Sequence, residues 1–359
     1  FNFFNIETAN SNMSFSLSIK NPDLEYGGSG FKSIFAQKKN IFSLKFLIFI
    51  FEIKKLYNDC KNLSFNNEYE RMTLEDYLNK KKYSEDVKNL HIYPMVSSIW
   101  SSNKYDIKNF PFISFLNFFK NHGLFELKNR PQWKYVKGGS KNYIDKVISK
   151  NYFKSEINCK INKIVRENNK IIIYKSTGEK IIFDKLVLAI HPDQSLSILE
   201  KPSKIENEIL SNFKYTKNEA YLHSDDAFMP NKKSAWSSWN FIGDMRDDDK
   251  FSLTYWMNNL QKIKSNKNYF VTINPRVKPK NIYDNTIFEH PIFNLKTIES
   301  QKKISLIQGY LNTYYCGSYC GYGFHEDGIQ SAAHIASIFG INLPWNIDNK
   351  LEKRLYYRK

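Results

Sequence analysis

The chain has 359 residues, of which 42% are hydrophobic and 16% are aromatic, and its formal net charge is +17. This composition supports a folded core and excludes an intrinsically disordered chain, and the length allows two domains or one large one. The lysines are spread from Lys20 to Lys359 without a dense basic helix. We therefore expect no nucleic-acid partner, and peripheral contact with an anionic membrane surface fits the charge better.

The four cysteines form no C-x-x-C pair, and Cys316 and Cys320 are separated by three residues with no second pair nearby. This spacing argues against structural zinc, so we expect no metal site. Scattered thiols in a long chain are typical of a reducing compartment, which indicates a cytoplasmic protein.

Residues 40–125 are predicted to be mainly helical. Thr73 is expected to cap one helix with Asp76 in the capping-box position, and Ser84 is expected to cap the next. Pro94 is then expected to end or kink that second helix, because proline lacks the backbone N–H that a helix interior needs.

The segment PFISFLNFFKNHG is predicted to be a further helix, with Pro111 near its start and Gly123 at its end. Phe112, Phe115 and Phe119 share one face of that helix at helical spacing. This face either packs on a sheet or lines a tunnel for an acyl chain. Phe115 and Phe119 are therefore candidates for a substrate pocket.

The most apolar run of the chain, FLIFIFEI, covers residues 46–53. It is shorter than the roughly 20 residues that a membrane-spanning helix needs. Two interpretations remain, a helix that faces the protein core and a helix that dips into a membrane interface.

Residues from about 154 onward are predicted to be rich in strands. KIIIY and KIIF flank the turn STG and are expected to form a hairpin, and KLVLAI is expected to be a strand buried on both faces of a parallel sheet. Residues 218–290 are predicted to form a mixed or antiparallel sheet. Trp236, Trp239 and Trp256 are placed on its strands, and Trp236 and Trp256 are candidates for the substrate pocket.

A last strand is predicted to run into a glycine cluster that contains Gly317, Gly321 and Gly323, and a helix is expected from about Asp327 to Gly340. A strand, a glycine loop and a helix N-terminus together can bind an anion such as phosphate. The alternative is a tight turn in which glycine serves only the backbone conformation. The G-x-G-x-x-G pattern of a dinucleotide site occurs nowhere among the 14 glycines.

The chain resembles a bacterial family of NAD/FAD-binding oxidoreductases within the flavin-containing amine oxidase and phytoene desaturase superfamily, a family associated with cyclopropane fatty acid synthases. The resemblance extends over nearly the whole chain. Its main stretches are SNMSFSLS (11–18), YPMVSSIWSS (93–102), FFKNHGLFELKNRPQWKYVKGGSKNYI (118–144), LVLAIHPDQSLSIL (186–199) and YCGSYCGYGFHEDGIQSA (315–332).

The resemblance implies bound FAD, and it implies a set of cofactor-binding residues, whereas no catalytic residue can be named. The C-terminal motif would contact the pyrophosphate and the ribityl chain or border the isoalloxazine, and three other stretches would contribute a strand residue, a strand end and a helix entry. The implied residues are Gly317, Ser318, Tyr322, Gly323, Phe324, Gly328, Ile329, Ile161, Ala189, Gly138 and Gly139.

The resemblance also implies an α/β fold with an α+β substrate domain, in which two domains of the FAD-linked amine oxidase type interleave. The family begins with a βαβ unit that this sequence lacks, so we expect the sequence to be a fragment that binds FAD poorly by itself. The expected division is a substrate-side helical segment (1–150), a part of the FAD domain (151–200), a substrate-domain sheet (201–295), a C-terminal FAD-binding strand, loop and helix (296–345) and a tail (346–359).

The implied activity is hydride transfer between flavin and a lipid-like substrate, such as an unsaturated or cyclopropanated acyl chain. One alternative is an amine oxidase that acts on a small amine. Another is a truncated remnant that binds lipid without catalysis. The expected location is the cytoplasm, with a peripheral position at the inner membrane face as an option, and the oligomeric state is unknown.

Overall fold

The computed structural model describes residues 1–64, 66–128, 130–246, 251–345 and Leu355. The chain divides into two compact units that alternate along the sequence. Unit 1 comprises Phe1–Asn5, Tyr143–Lys214 and Phe293–Lys359, and unit 2 comprises Ile6–Asn142 and Tyr215–Ile292. The expected interleaving of two domains is thus confirmed. The predicted tail (346–359) lies outside the described residues apart from Leu355.

Fourteen strands occur in the described residues. They are β1 (Thr8–Asn10), β2 (Phe15–Ile19), β3 (Leu24–Gly27), β4 (Lys134–Val136), β5 (Ile161–Glu167), β6 (Lys170–Lys175), β7 (Lys180–Phe183), β8 (Leu186–Leu188), β9 (Lys214–His223), β10 (Trp239–Gly243), β11 (Ser252–Trp256), β12 (Phe270–Ile273), β13 (Ile282–Ile292) and β14 (Thr313–Tyr315).

Thirteen α-helical segments occur in the same residues. They are α1 (Phe31–Ile34), α2 (Leu44–Asn62), α3 (Leu74–Lys80), α4 (Glu85–Val87), α5 (Tyr93–Trp100), α6 (Lys104–Lys108), α7 (Phe112–Asn121), α8 (Lys141–Ile148), α9 (Pro192–Ile198), α10 (Lys204–Leu210), α11 (Met257–Leu260), α12 (Leu295–Lys303) and α13 (His325–Ile338). Within the described residues, every helix falls short of the combined length and apolarity needed to span a bilayer.

Unit 2 is built on a seven-stranded mixed sheet with the strand order β13-β9-β12-β11-β10-β2-β3. The β10–β2 pair is parallel, with Trp239 opposite Phe15, and its neighbouring pairs are antiparallel. The sheet that the sequence predicted in residues 218–290 is therefore present, and two strands from the start of the chain extend it. These early strands make unit 2 one body although its two segments are far apart in sequence.

The helices of unit 2 follow the predicted start signals. The Thr73 hydroxyl accepts a hydrogen bond from the Asp76 N–H at 3.1 Å, and the Asp76 carboxylate accepts one from the Thr73 N–H at 3.0 Å. The Ser84 hydroxyl likewise accepts from the Val87 N–H. The sequence predicts that Pro94 ends or kinks the second helix. The helix does not end there, because a π turn (Lys88–Ile92) leads directly into α5, which contains Pro94 and continues to Trp100. The π turn immediately before Pro94 is a distortion of the kind that accompanies helix kinks.

Unit 1 contains two small sheets. β5, β6 and β7 form an antiparallel meander, in which the predicted hairpin turn places Gly178 at a φ of 88°. β8 and β14 form a parallel pair, with Tyr315 opposite Leu188. Parallel pairing of the KLVLAI strand agrees with the sequence, but burial on both faces does not. Leu188 is buried, whereas Val187 and Ile190 are exposed.

A buried ion pair connects three elements of unit 1. Glu206 of α10 accepts hydrogen bonds from Arg166 of β5 at 2.5 and 2.9 Å and from the Tyr315 hydroxyl of β14 at 2.6 Å. The Ser203 N–H also donates to Glu206, at 2.7 Å. Burial alone would raise the pKa of Glu206, but the hydrogen bonds from Arg166 and Tyr315 outweigh it and leave this pKa below its ordinary value.

We predict that Glu206→Gln lowers the free energy of unfolding by about 3–5 kcal/mol at neutral pH, because it leaves the Arg166 charge buried without its counter-charge. The matched control is Glu200→Gln, which removes an exposed partner of Lys163 and is expected to leave the urea midpoint unchanged. Equal effects of the two substitutions would contradict the role of the buried pair.

The same pair predicts a pH dependence. Because the pKa of folded Glu206 is lowered, the carboxylate stabilises the fold at a pH above its unfolded pKa of about 4.3, and this stabilisation is lost as the pH falls toward the folded pKa. The stability difference between wild type and Glu206→Gln should therefore shrink below about pH 4. Urea unfolding at a series of pH values measures it, and a difference that grows with acid would contradict the account.

Candidate functional site

The candidate site of unit 1 lies where β8 and β14 end. The two strands are parallel and adjacent, so their carboxyl ends lie side by side. Ala189 follows β8 directly and is exposed, and the Cys316 N–H donates to the Leu188 carbonyl at 3.1 Å. The glycine loop continues from Cys316. The strand pairing therefore brings Ala189 next to the start of the glycine loop. Ligands of α/β proteins bind at such carboxyl ends.

Seven of the implied cofactor residues belong to this loop and to the helix that follows it. Gly317 precedes a 3₁₀ turn (Ser318–Cys320), and α13 begins at His325, two residues before the predicted start. Gly323 has a φ of 95°, in the region that favours glycine. The sequence thus located the strand, the loop and the helix correctly. The seven residues are Gly317, Ser318, Tyr322, Gly323, Phe324, Gly328 and Ile329.

Two glycines of the loop are explained by contacts within the protein. A Cβ atom on Gly317 would lie 2.7 Å from the Tyr319 ring, and one on Gly321 would lie 2.5 Å from the Asp327 carboxylate. Both distances are shorter than side chains tolerate, so these positions exclude larger residues. For Gly317 and Gly321, internal packing is a sufficient reason for glycine.

Gly328 differs from those two glycines. It lies within the first turns of α13, where glycine is less favourable than alanine by about 1 kcal/mol. A Cβ atom at this position would meet only the Ser318 nitrogen, at an ordinary 3.7 Å. Ser318 is the first residue of its 3₁₀ turn, so its N–H has no acceptor within that turn. The bare Cα of Gly328 therefore lies beside a backbone donor, and the described contacts do not require it to be bare.

The N-terminus of α13 already carries negative charge. Glu326 and Asp327 lie in its first turn, and the fully buried Asp327 accepts a hydrogen bond from the Phe324 N–H at 2.9 Å. A carboxylate at this position offsets the positive end of the helix dipole. An anionic ligand here would therefore depend on close approach to backbone N–H groups, such as that of Ser318, more than on the helix dipole.

Two side chains that the sequence did not identify hold the loop in place. The Gln301 amide of α12 donates to the carbonyls of Tyr319 and Gly321, both at 2.7 Å. The Ser331 hydroxyl accepts from the Gly317 N–H at 2.9 Å and lies 2.7 Å from the Gly328 carbonyl. Ser331 could have been found from its helical spacing to Gly328, whereas no local pattern identifies Gln301.

The other implied cofactor residues lie elsewhere. Ile161 begins β5, at a bulge in the pairing with β6, and belongs to unit 1. Gly138 and Gly139 belong to unit 2, with φ values of 73° and 90°, and they precede α8. The helix entry predicted at these two glycines is present.

The substrate-pocket candidates all belong to unit 2. The rings of Trp236 and Trp256 pack edge to face at 5.4 Å, and their N–H groups donate to the Pro230 carbonyl and to Asn268. Placement of Trp236 on a strand was wrong, because Trp236 follows a 3₁₀ turn and β10 begins only at Trp239. Strand alternation therefore cannot decide which way Trp236 faces.

Phe115 and Phe119 lie in the interior of the helical region. Their rings are 4.2 Å apart, both contact Phe125, and both side chains are almost fully buried. This arrangement favours the packing interpretation that the sequence left open. A small cavity of about 30 Å³ in unit 2 is lined instead by residues such as Tyr93, Phe241 and Phe251, and it has room for roughly one water molecule.

A scan of protein-family models and a search of curated proteins both return no match to this sequence. Solved structures do match. A CLA-producing fatty acid isomerase from P. acnes has a TM-score of 0.63 and 12% identity over 93% of this chain and 81% of the other. A redesigned putrescine oxidase has a TM-score of 0.66 and 9% identity, and a cyclohexylamine oxidase from Brevibacterium oxydans has a TM-score of 0.58 and 11% identity. Each of these two matches covers 94% of this chain and 84% of the other. At these identities the likeness establishes the fold, which is the mixed α/β fold of the FAD-linked amine oxidases, as the sequence predicted.

The contrast between Gly321 and Gly328 gives a direct prediction. Gly321→Ala should lower the free energy of unfolding by about 1–3 kcal/mol, because its Cβ overlaps the carboxylate that caps α13. Gly328→Ala should instead raise it by about 0.5–1 kcal/mol, because alanine is the better helix former and the space is open. Urea unfolding of the two variants measures this. A destabilised Gly328→Ala variant would mean that the fold itself requires this glycine.

Proposed function

We propose that this protein is an FAD-dependent oxidoreductase whose glycine loop and α13 contact the cofactor. The observation that carries the proposal is Gly328, a glycine whose absent side chain leaves room beside the Ser318 N–H. A helix position that accepts this energetic cost without an internal reason is expected where a ligand approaches the backbone closely. The fold and the position at the carboxyl ends of two parallel strands support the same assignment.

The residues of the loop fit a dinucleotide in the following way. Ser318 and Gly328 would contact the pyrophosphate and the ribityl chain through backbone and hydroxyl groups, with Ile329 alongside. Tyr322, Gly323 and Phe324 would border the isoalloxazine, and Ala189 and Ile161 would offer main-chain contacts. Because Ser318 is neutral, its contact is weaker than a charged one would be.

The flavin would supply the chemistry by accepting or donating a hydride. The chain's own residues position the cofactor and keep water away from it. Tyr322 is almost fully buried, and Gln301 fixes the carbonyls of the loop before it. A loop held in this way presents a preformed binding surface, which lowers the entropy cost of binding.

For the substrate we propose a lipid-like molecule with an unsaturated or cyclopropanated acyl chain. The resemblance to a family associated with cyclopropane fatty acid synthases supports it, as does the fold shared with a fatty acid isomerase. The pocket would lie between the helices of residues 40–125 and the sheet of residues 218–290, with Trp236 and Trp256 as candidate lining residues. It would have to open beyond the cavity of about 30 Å³ that lies there. Small amines are the alternative, since a putrescine oxidase and a cyclohexylamine oxidase share the same fold.

Flavin binding is tested with two substitutions at Gly328. The protein expressed at its full natural length should purify yellow with bound FAD. Gly328→Glu should weaken FAD binding by at least about tenfold, because the added carboxylate repels the pyrophosphate and fills the space beside Ser318. Gly328→Ala should also weaken binding although it stabilises the fold. Ser337→Glu adds the same charge on the opposite side of α13 and should have no effect. A colourless protein that stays without flavin in excess FAD would contradict the proposal, as would unchanged flavin content in Gly328→Glu.

The substrate class is tested separately by anaerobic reduction of the bound flavin. Phospholipids with unsaturated or cyclopropanated chains should bleach the flavin absorbance, because an apolar pocket binds long chains better than small polar cations. Primary amines at the same concentration should leave the spectrum unchanged. Reduction by amines alone would replace the lipid proposal with the amine alternative, while leaving the flavin assignment intact.

A further inference from the structure

Helix α2 is apolar on two opposite sides. One side, which contains Phe46, Phe49 and Ile53, is buried in unit 2. The other side repeats at i, i+3, i+4 and i+7 and is exposed. An ordinary surface helix has one apolar side and one polar side, so the exposed one requires another explanation. We define the apolar face of α2 and of the turn before it as Ile41, Phe42, Leu44, Leu47, Ile48 and Phe51.

The exposure of this face is large for side chains of this type. Phe42 is 90% exposed, Leu44 is 72%, Phe51 is 68% and Ile48 is 55%. Single exposed apolar residues are common on protein surfaces, whereas six exposed ones within eleven residues of chain indicate an interaction site. The described residues of unit 2 leave this face uncovered.

Cationic side chains surround the apolar face. Lys54 and Lys55 follow Phe51 on the same side of the helix, one turn further along, and Lys55 lies 5.9 Å from the Tyr83 ring. Lysines also precede and flank the face, and two of them pair with acids, Lys39 with Asp23 at 2.9 Å and Lys45 with Asp86 at 3.0 Å. The five exposed lysines of this region are Lys38, Lys39, Lys45, Lys54 and Lys55.

The charge balance of the region is positive. Three acidic side chains lie beside these five lysines, namely Asp23, Asp86 and the half-buried Glu52, which accepts hydrogen bonds from Ser84. Five positive and three negative charges leave a local net charge of +2. Lysines next to an apolar face can extend their charged ends to phosphate groups while their stems remain on apolar surface. An apolar centre with a cationic border is typical of a helix that lies in the interface of an anionic bilayer.

We propose that this face docks on a lipid bilayer that contains anionic lipids. α2 would lie in the interface with the apolar face among the acyl chains and with Lys54 and Lys55 at the level of the head groups. The charge complementarity selects a membrane over a second copy of this chain, because two copies would bring their cationic borders together. The inference is independent of the flavin and of the substrate.

The test is co-sedimentation of the protein with vesicles of phosphatidylcholine and phosphatidylglycerol. The wild type should bind, and Phe42→Ser with Phe51→Ser should lower the partition coefficient by at least about tenfold, because two exposed rings are lost. Ile287→Ser with Phe288→Ser removes two similarly exposed side chains of β13 and should change binding by less than about twofold. Far-UV circular dichroism verifies that each variant is folded.

A second pair of variants tests the electrostatic contribution to membrane binding. Lys54→Glu with Lys55→Glu should abolish the preference for vesicles that contain phosphatidylglycerol over pure phosphatidylcholine vesicles. The control, Lys264→Glu with Lys267→Glu, changes the net charge equally and should leave that preference intact. Absence of wild-type binding to either vesicle would overturn the proposal, and so would equal binding by the double serine variant at Phe42 and Phe51. A dimer in buffer that this variant dissociates, without vesicle binding, would assign the face to a second copy.

Discussion

The buried carboxylate of Glu206 is the contact on which the arrangement of unit 1 depends. It accepts hydrogen bonds from Arg166 of β5 and Tyr315 of β14, and it also caps its own helix through the Ser203 N–H. Since Tyr315 is the last residue of β14, this contact fixes where the strand ends and where the glycine loop begins. A buried charge with four donors tolerates little displacement, so the loop starts from a defined position.

Asp327 and Gln301 hold the glycine loop and the start of α13 in place. Asp327 caps α13 and packs against Gly321, and Gln301 binds the carbonyls on both sides of Cys320. The Tyr319 ring explains Gly317 and the Asp327 carboxylate explains Gly321, so Gly328 alone among these three glycines lacks an internal reason. In a glycine-rich loop, some glycines serve internal packing and others allow a ligand to approach closely. Separating these two roles identifies Gly328 as the position at which a ligand contact is the better explanation.

The sequence predicted those features that depend on neighbouring residues. The capping box at Thr73, the hairpin around Gly178 and the strand, loop and helix ending in α13 all follow from local chemistry. It could not predict the Glu206 cluster, because Glu206 and Tyr315 are 109 positions apart. The FLIFIFEI run contains both buried and exposed apolar side chains. The sequence could not tell them apart, because a run of apolar residues does not reveal which of them the fold covers. The sequence did not predict the π turn before Pro94, because a π turn has no clear sequence signal.

The central claim, that the loop and the first turns of α13 bind a flavin dinucleotide, is tested most directly by hydrogen exchange with and without saturating FAD. Backbone amides exchange more slowly where a ligand takes up their N–H groups or restricts local opening. The account predicts slower exchange in peptides that cover residues 316–331, and no change in the meander of β6 and β7. Unchanged exchange in residues 316–331 at saturating FAD would contradict it.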